Sequence, residues 1–225
     1  MEKNQLNILV INLDERTDRL QYIKKHLSEL NQSFIRISAI HMPFEGGRGC
    51  SLSHAKALLF AKEKKWEKVL ILEDDAHLRK NFETLLETMF RELPDNWMAV
   101  FLGPGRVKKV TYHNSHLLRI CQGDEGYLTG SHAIIYRDTS YDMCIKALMN
   151  DSSESLIHTD LILSNTIPKK NIFIPVPFLA DFIKSRSNIR ENSNLDLEIL
   201  NETENELANL IEKYERIKLP KNIYL

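Results

Sequence analysis

No stretch of this 225-residue chain is apolar for long enough to span a membrane. The opening M-E-K-N-Q-L-N reads as no signal peptide. An excess of one charge is also missing. Thirty Lys and Arg stand against thirty-one Asp and Glu, a net charge of −1, which gives no electrostatic support for nucleic acid as the main partner. Cysteine is scarce: Cys50, Cys121 and Cys144 are odd in number, far apart and without metal-type spacing. They read as reduced thiols, which predicts a reducing, cytoplasmic compartment. There is no internal repeat, no low-complexity linker and no Gly-Lys-Ser/Thr phosphate loop. A peripheral enzyme needs no span of its own, so contact with a membrane-borne substrate stays open.

What is present is ordinary globular composition, 43% hydrophobic and 27% charged, enough for one large domain with at most a small appendage. Asn7 to Ile11 is a short aliphatic run, the expected first strand. Leu20, Ile23, Leu27 and Leu30 then recur at helical steps. Residues 34–37, Val69 to Leu72 and Trp97 to Leu102 are expected strands. Helices are expected from about Ser51 to Lys65 and from Asn81 to Arg91. This alternation predicts an α/β fold with a mostly parallel, doubly wound sheet carrying helices on both faces. From Lys108 the pattern turns antiparallel, with strands at Lys108 to Cys121 and Tyr127 to Tyr136. Helices at Thr139 to Met149 and Leu156 to Asn165 precede an extended stretch at residues 172–175. Asn194 to Arg216 reads as a charged helix that packs along the body or against a second copy of the chain.

The segment V69-L-I-L-E-D-D-A76 is the most informative. Four aliphatic residues end in Glu73, Asp74 and Asp75, as a strand buried on both faces does when it emerges at a site. Three adjacent carboxylates repel each other unless a cation or a donor-rich ligand sits there. The Glu73-x-Asp75 spacing suits a hard divalent ion, Mg²⁺ or Mn²⁺, holding phosphates. The plainer alternative is a solvated turn in which Asp74 or Asp75 caps the next helix.

Three further clusters carry chemistry. In N-L-D-E-R-T-D-R-L at 12–20, Arg16 and Arg19 sit where a strand turns into a helix, placed either to fork onto phosphate oxygens or to make local ion pairs. In E-G-G-R-G-C-S-L-S-H at 45–54, Gly46, Gly47 and Gly49 suggest close backbone approach to a ligand. Ser53 and His54 follow one turn into a helix, His54 being a ligand contact or a satisfied helix-end histidine. Asp160, after His158 and Thr159, is a helix cap or a base poised over a pocket.

Taken in order, these segments resemble glycosyltransferase family 25, which includes bacterial lipooligosaccharide galactosyltransferases and collagen hydroxylysine galactosyltransferases. The resemblance rests on V-I-N-L-D-E-R-T-D-R at 10–19, G-C-S-L-S-H at 49–54, L-I-L-E-D-D-A at 70–76, G-Y-L-T-G-S-H-A at 126–133 and the Asp160 region. It covers roughly residues 7 to 187. It implies a GT-A-like fold and an inverting transfer from a nucleotide sugar, most simply UDP-galactose or UDP-glucose, to a glycan or collagen-like acceptor, with Mn²⁺ or Mg²⁺ as cofactor. On that resemblance Asp75 and Glu73 hold the metal. Asn12, Leu13, Arg16, Arg19, Ser53, His54, Glu73 and Asp74 line the donor site. Asp160 is the first choice of general base and Asp181 the second. Many relatives carry a second acidic or histidine-bearing segment near the C-terminus; here Leu179 to Arg190 offers Asp181 with Lys184, Arg186 and Arg190. The expected organisation is a transferase domain at 1–190, its nucleotide-sugar half ending near 105 and its acceptor half running from 106 to 190, followed by a helix and tail at 191–225. The expected assembly is a homo-oligomer through that helix. A non-catalytic binding protein of the same fold is the alternative, but the retained Glu73, Asp74 and Asp75 speak against lost turnover.

Overall fold

The computed structural model describes residues 6–121, 127–150, 158–183 and 193–217. The elements run β1 (Asn7–Asn12), α1 (Thr17–Glu29), β2 (Ile35–Ser38), α2 (Gly46–Glu63), β3 (Lys68–Glu73), β4 (Ala76–Leu78), α3 (Phe82–Glu92) and β5 (Ala99–Phe101). They continue with β6 (Val107–Lys108), β7 (Val110–Asn114), β8 (Leu117–Ile120), β9 (Tyr127–Leu128), β10 (Ala133–Arg137), α4 (Asp138–Asn150) and α5 (Thr159–Thr166). A 3₁₀ turn (Lys169–Asn171), β11 (Ile172–Pro175), β12 (Ala180–Phe182) and α6 (Ser193–Ile217) follow.

Eight strands form one sheet in the order β2-β1-β3-β10-β5-β11-β8-β7. The pairings make six of the eight strands codirectional, with β10 and β8 opposed. The mixed α/β architecture with a mainly parallel sheet therefore agrees with the expectation. Alternation sets the two faces. Leu9, Ile11, Val69 and Ile71 face a core completed by α2, α4, α5 and α6, through Leu58, Leu148, Leu163 and Leu200. Ile8, Val10, Leu70 and Leu72 face the other core, with Ile23 and Leu27 of α1 and Phe82 and Met89 of α3. The acidic end of β3 thus emerges from the middle of a sheet covered on both sides.

Several elements differ from expectation. α2 begins at Gly46, so the three glycines occupy its first turn instead of a loop. A Cβ on Gly49 would stand 2.6 Å from the Ile40 carbonyl, so the close backbone approach there is to the chain itself, not to a ligand. Asp74 and Asp75 make a turn into β4, and α3 starts only at Phe82, so neither acid caps a helix. The strand expected at residues 127–136 is split, and residues 129–132 form a connection at the site. The strand expected over 108–121 is β6, β7 and β8, with β7 and β8 paired antiparallel. β10, from the second half of the chain, lies between β3 and β5, so both halves build one sheet. α6 spends its apolar face on this core through Leu200, Leu207 and Ile211. It packs along the body, and the described residues give an oligomer contact through that face no support. The side chain of Leu195, and Gly126, Lys184, Arg186 and Arg190, lie outside the described residues.

Candidate active site

Two cavities open at the carboxyl end of β3. The larger, about 300 Å³, is lined by Glu73, Asp75, Arg106, residues 129–132, residues 158–160, Phe182 and Ile199. The smaller, about 160 Å³, is lined by Leu13, Arg16, Arg19, residues 39–43, Ser53 and the acids 73–75. Cys50, Glu73 and Asp75 line both, so the cavities meet at the acidic motif.

Glu73 is half-buried and tightly held at one oxygen. Its Oε1 accepts Ser131 Oγ at 2.6 Å, faces His54 Nε2 at 3.3 Å and accepts Cys50 Sγ at 3.8 Å. Burial pushes this carboxyl up, but the bond and charge of His54, with the Ser131 hydroxyl, overcome it and bring it down to about 2. Asp74 is buried with both oxygens engaged, Oδ2 by Asn12 Nδ2 at 2.7 Å and Oδ1 by Arg19 Nη1 at 2.9 Å. Burial still raises its carboxyl. Asp75 Oδ2 lies 2.8 Å from the same Arg19 Nη1. Burial, with Glu73 and Asp74 beside it and Arg19 opposing, pushes the Asp75 carboxyl up to about 7. Asp74 is taken up by Asn12 and Arg19, which leaves Asp75 and Glu73 as the hard oxygen donors. The residues present fit a divalent cation.

The remaining expected residues divide. Leu13, Arg16, Arg19 and Ser53 line the smaller cavity. Arg16 is bidentate to Asp18, its Nε 3.0 Å from Oδ1 and its Nη2 2.9 Å from Oδ2, as the local ion-pair reading expects. Asn12 and His54 line neither cavity. Asn12 instead ties Asp74 to the Arg16 carbonyl and accepts from Arg36. Ser53 Oγ donates to the Gly49 carbonyl at 2.6 Å and accepts Ile40 N at 2.8 Å, fixing the 40–49 segment on α2.

Asp160 lines the larger cavity in the first turn of α5, whose N-cap residue is His158. Its Oδ2 accepts Gly130 N at 2.6 Å and its Oδ1 accepts Leu161 N at 2.8 Å. Gly130 has φ +101°, which disfavours any side chain, and that geometry aims its N–H at Asp160. Asp181 lines neither cavity. It pairs with His77 across β4, and its Oδ2 lies 3.9 Å from Arg79 Nε. The structure does not bring it to the reaction space expected for a base.

Sequence reasoning missed Cys50, Arg106, His132 and Ile199 as cavity residues. His132 is buried, which pushes it down to about 4, so it is neutral near pH 7. Its ring packs edge-on against Phe182 at 5.3 Å. Arg106, directly after Gly103-Pro104-Gly105, carried a signal that could have been read: a cation beside a glycine-rich turn at a strand end.

Residues 45–123 match the model of glycosyltransferase family 25, described as an LPS biosynthesis protein family. The matched segment is 79 of the 225 residues, about a third of the chain. That segment includes Cys50, Ser53, His54 and the acids 73–75, while the motifs at 10–19, 126–133 and Asp160 lie outside it. It makes the chain an enzyme of the glycosyltransferase class. The fold agrees with a glycosyltransferase involved in the glycosylation of the major capsid of PBCV-1. That structure matches with a TM-score of 0.55 at 12% identity, over 86% of this chain and 98% of that one. A mannose-1-phosphate geranyltransferase from Thermus thermophilus reaches a TM-score of only 0.41, at 11% identity over 79% of this chain and 76% of that one, too low to carry an argument. No curated protein matches the sequence. Among the described residues, no helix is long and apolar enough to cross a membrane.

Proposed function

We propose that this family 25 chain transfers a hexose, galactose or glucose, from a UDP-sugar to a hydroxyl of a glycan or collagen-like acceptor, with inversion and with Mn²⁺ or Mg²⁺. One observation carries the reading: Glu73 and Asp75 line both cavities, whereas Asp160 lines only the larger. The smaller cavity, with Arg16 and Arg19 at its wall, takes the UDP moiety. The larger takes the hexose and the acceptor.

Asp75, with Glu73, would hold the cation. When bound, that ion supplies charge neutralisation for the departing diphosphate. Arg16 and Arg19 add donors to the same phosphates. Inversion needs one displacement and no protein nucleophile. The acceptor oxygen forms the new bond as the sugar–phosphate bond breaks, and Asp160 takes the hydroxyl proton. Asp160 carries the base role in this scheme because it, and not Asp181, lines the reaction cavity. The free thiols Cys50, Cys121 and Cys144 support a reducing, cytoplasmic setting.

The test is a screen of UDP-sugars for Mn²⁺-dependent UDP release, with and without glycan and collagen-peptide acceptors. Stimulation by one UDP-hexose with one acceptor class is the expected result. UDP release from no donor, or equal rates in EDTA, would remove the proposal.

A further inference from the structure

We propose that Cys50 Sγ, His54 Nε2 and Glu73 Oε1 form an exchangeable site for a thiophilic divalent cation of the Zn²⁺ kind, different in chemistry from the hard-ion role given to Asp75. The three atoms lie within 4.8 Å of one another. Oε1 is 3.3 Å from Nε2 and 3.8 Å from Sγ. Zinc holds N, O and S ligands at about 2.0–2.3 Å, which places neighbouring donors roughly 3.3–3.6 Å apart in a tetrahedron. Two edges of that tetrahedron already stand near these lengths, and the third is no longer than 4.8 Å. One sulfur, one imidazole nitrogen and one carboxylate oxygen select zinc over manganese or magnesium. Cys50 and Glu73 both line the two cavities, so the ion has an entry path and a fourth position open to a small ligand.

On binding, the Cys50 thiol releases its proton to solvent, and its thiolate becomes the ligand. His54 Nε2 faces Glu73 Oε1 at 3.3 Å, and its lone pair must be free of a proton to bind the ion. Nδ1 is buried without a partner among the described residues. A ligating histidine normally donates its other N–H, and losing that support costs about 10–100-fold in affinity. The site is therefore reversible and not a permanent structural centre. An ion on Oε1 also displaces the Ser131 hydroxyl that now sits there at 2.6 Å, so occupancy disturbs the junction of the two cavities. Zn²⁺ then inhibits; that consequence alone rests on the transfer reading.

Co²⁺ is the probe. The full chain, stripped with EDTA and desalted, is titrated with CoCl₂ and followed by absorbance. Expected are saturable binding that EDTA reverses, the strong visible bands of a four-coordinate site, a near-ultraviolet thiolate-to-cobalt band, and loss of these bands on adding Zn²⁺. Cys50→Ser should abolish the thiolate band with an unchanged circular dichroism spectrum. If that variant does not fold, the double variant Cys121→Ser/Cys144→Ser decides, since it leaves Cys50 as its one thiol and must keep the band. Absence of the four-coordinate and thiolate bands in the wild type, or a thiolate band that survives Cys50→Ser or is lost in the double variant, overturns the site. The spectrum needs no turnover, so this proposal and the transferase reading fail separately.

Discussion

Arg19 Nη1 stands 2.8 Å from Asp75 Oδ2 and 2.9 Å from Asp74 Oδ1, one nitrogen shared by two carboxylates. The sharing sets a competition: a cation on Asp75 releases part of the guanidinium, and a diphosphate offers it new acceptors. On the proposed reading, the ion pair and the donor site are two states of the same groups.

The acidic turn should leave a mark on stability in the absence of metal. The Asp75 carboxyl, raised to about 7 from 3.8, binds more protons folded than unfolded between those values. Its contribution is present below pH ~4 and is lost as pH rises through 7, amounting to roughly 1–2 kcal/mol after discounting for its partial exposure. Glu73, lowered to about 2 from 4.5, acts in the opposite sense and loses its contribution only as pH falls below that window. Urea melts at pH 5 and pH 8 in EDTA should show the decline in wild type and a flatter profile in Asp75→Asn. Mn²⁺ should restore wild-type stability at pH 8. Asp75→Ala should also lose Mn²⁺-dependent turnover while staying folded.

Arg16 and Arg19 should separate in one experiment. Either alanine substitution should weaken UDP binding by about 1.5–3 kcal/mol if the side chain reaches the diphosphate. Only Arg19→Ala should also lower stability, by about 1–3 kcal/mol, because it leaves the buried Asp74 short of a donor. Arg16 pairs with the exposed Asp18, where solvent screening leaves little stability to lose. Calorimetry with UDP, beside a urea melt of each variant, reads both quantities. Unchanged UDP affinity in both would return the two arginines to a purely structural role.

The helix α6 should prove integral. Leu200 is fully buried in the main core, so Leu200→Ala should cost about 2–5 kcal/mol. Glu204 accepts Arg79 Nη1 and Nη2 at 2.7 and 2.6 Å and Phe178 N at 2.8 Å, so Glu204→Ala should cost about 1–3 kcal/mol. Thermal melts check both. A truncated chain lacking residues 193–225 that melts like the full one would show α6 to be an appendage after all.

The residues show why some of this could be read in advance and some could not. Val69 to Leu72 are apolar on both faces, and the run ends in charge, so strand, burial and the position of the acids at the strand end followed from one pattern. Leu20, Ile23 and Leu27 likewise marked α1. Periodicity states which way a side chain faces but not which strand lies beside it. It therefore could not put β10 between β3 and β5, where long-range pairing decides. The glycines at 46, 47 and 49 misled because their low helix propensity was overridden by tertiary packing, with Gly49 pressed on the Ile40 carbonyl. Asp181 misled for a related reason. On a three-residue strand a one-position shift turns a side chain to the opposite face, and here Phe182 took the cavity side.

Asp160→Asn tests the base. Asparagine keeps one carbonyl oxygen to accept from Gly130 N but loses the acceptor for Leu161 N, so the contact between α5 and residues 129–131 should persist at part of the stability loss seen in Asp160→Ala. It cannot take a proton. As general base Asp160 contributes about 10² to 10⁴ in rate, so kcat should fall by that factor. UDP affinity should hold, because Asp160 does not line the smaller cavity. Asp160→Ala differs: it removes both acceptors from Gly130 N and Leu161 N and should also destabilise by roughly 1–3 kcal/mol. A purely structural Asp160 would give normal turnover in Asp160→Asn and a fall only in Asp160→Ala, in step with stability. Collapsed kcat in Asp160→Asn, with UDP binding kept and stability above that of Asp160→Ala, is the pattern a proton acceptor in the larger cavity produces.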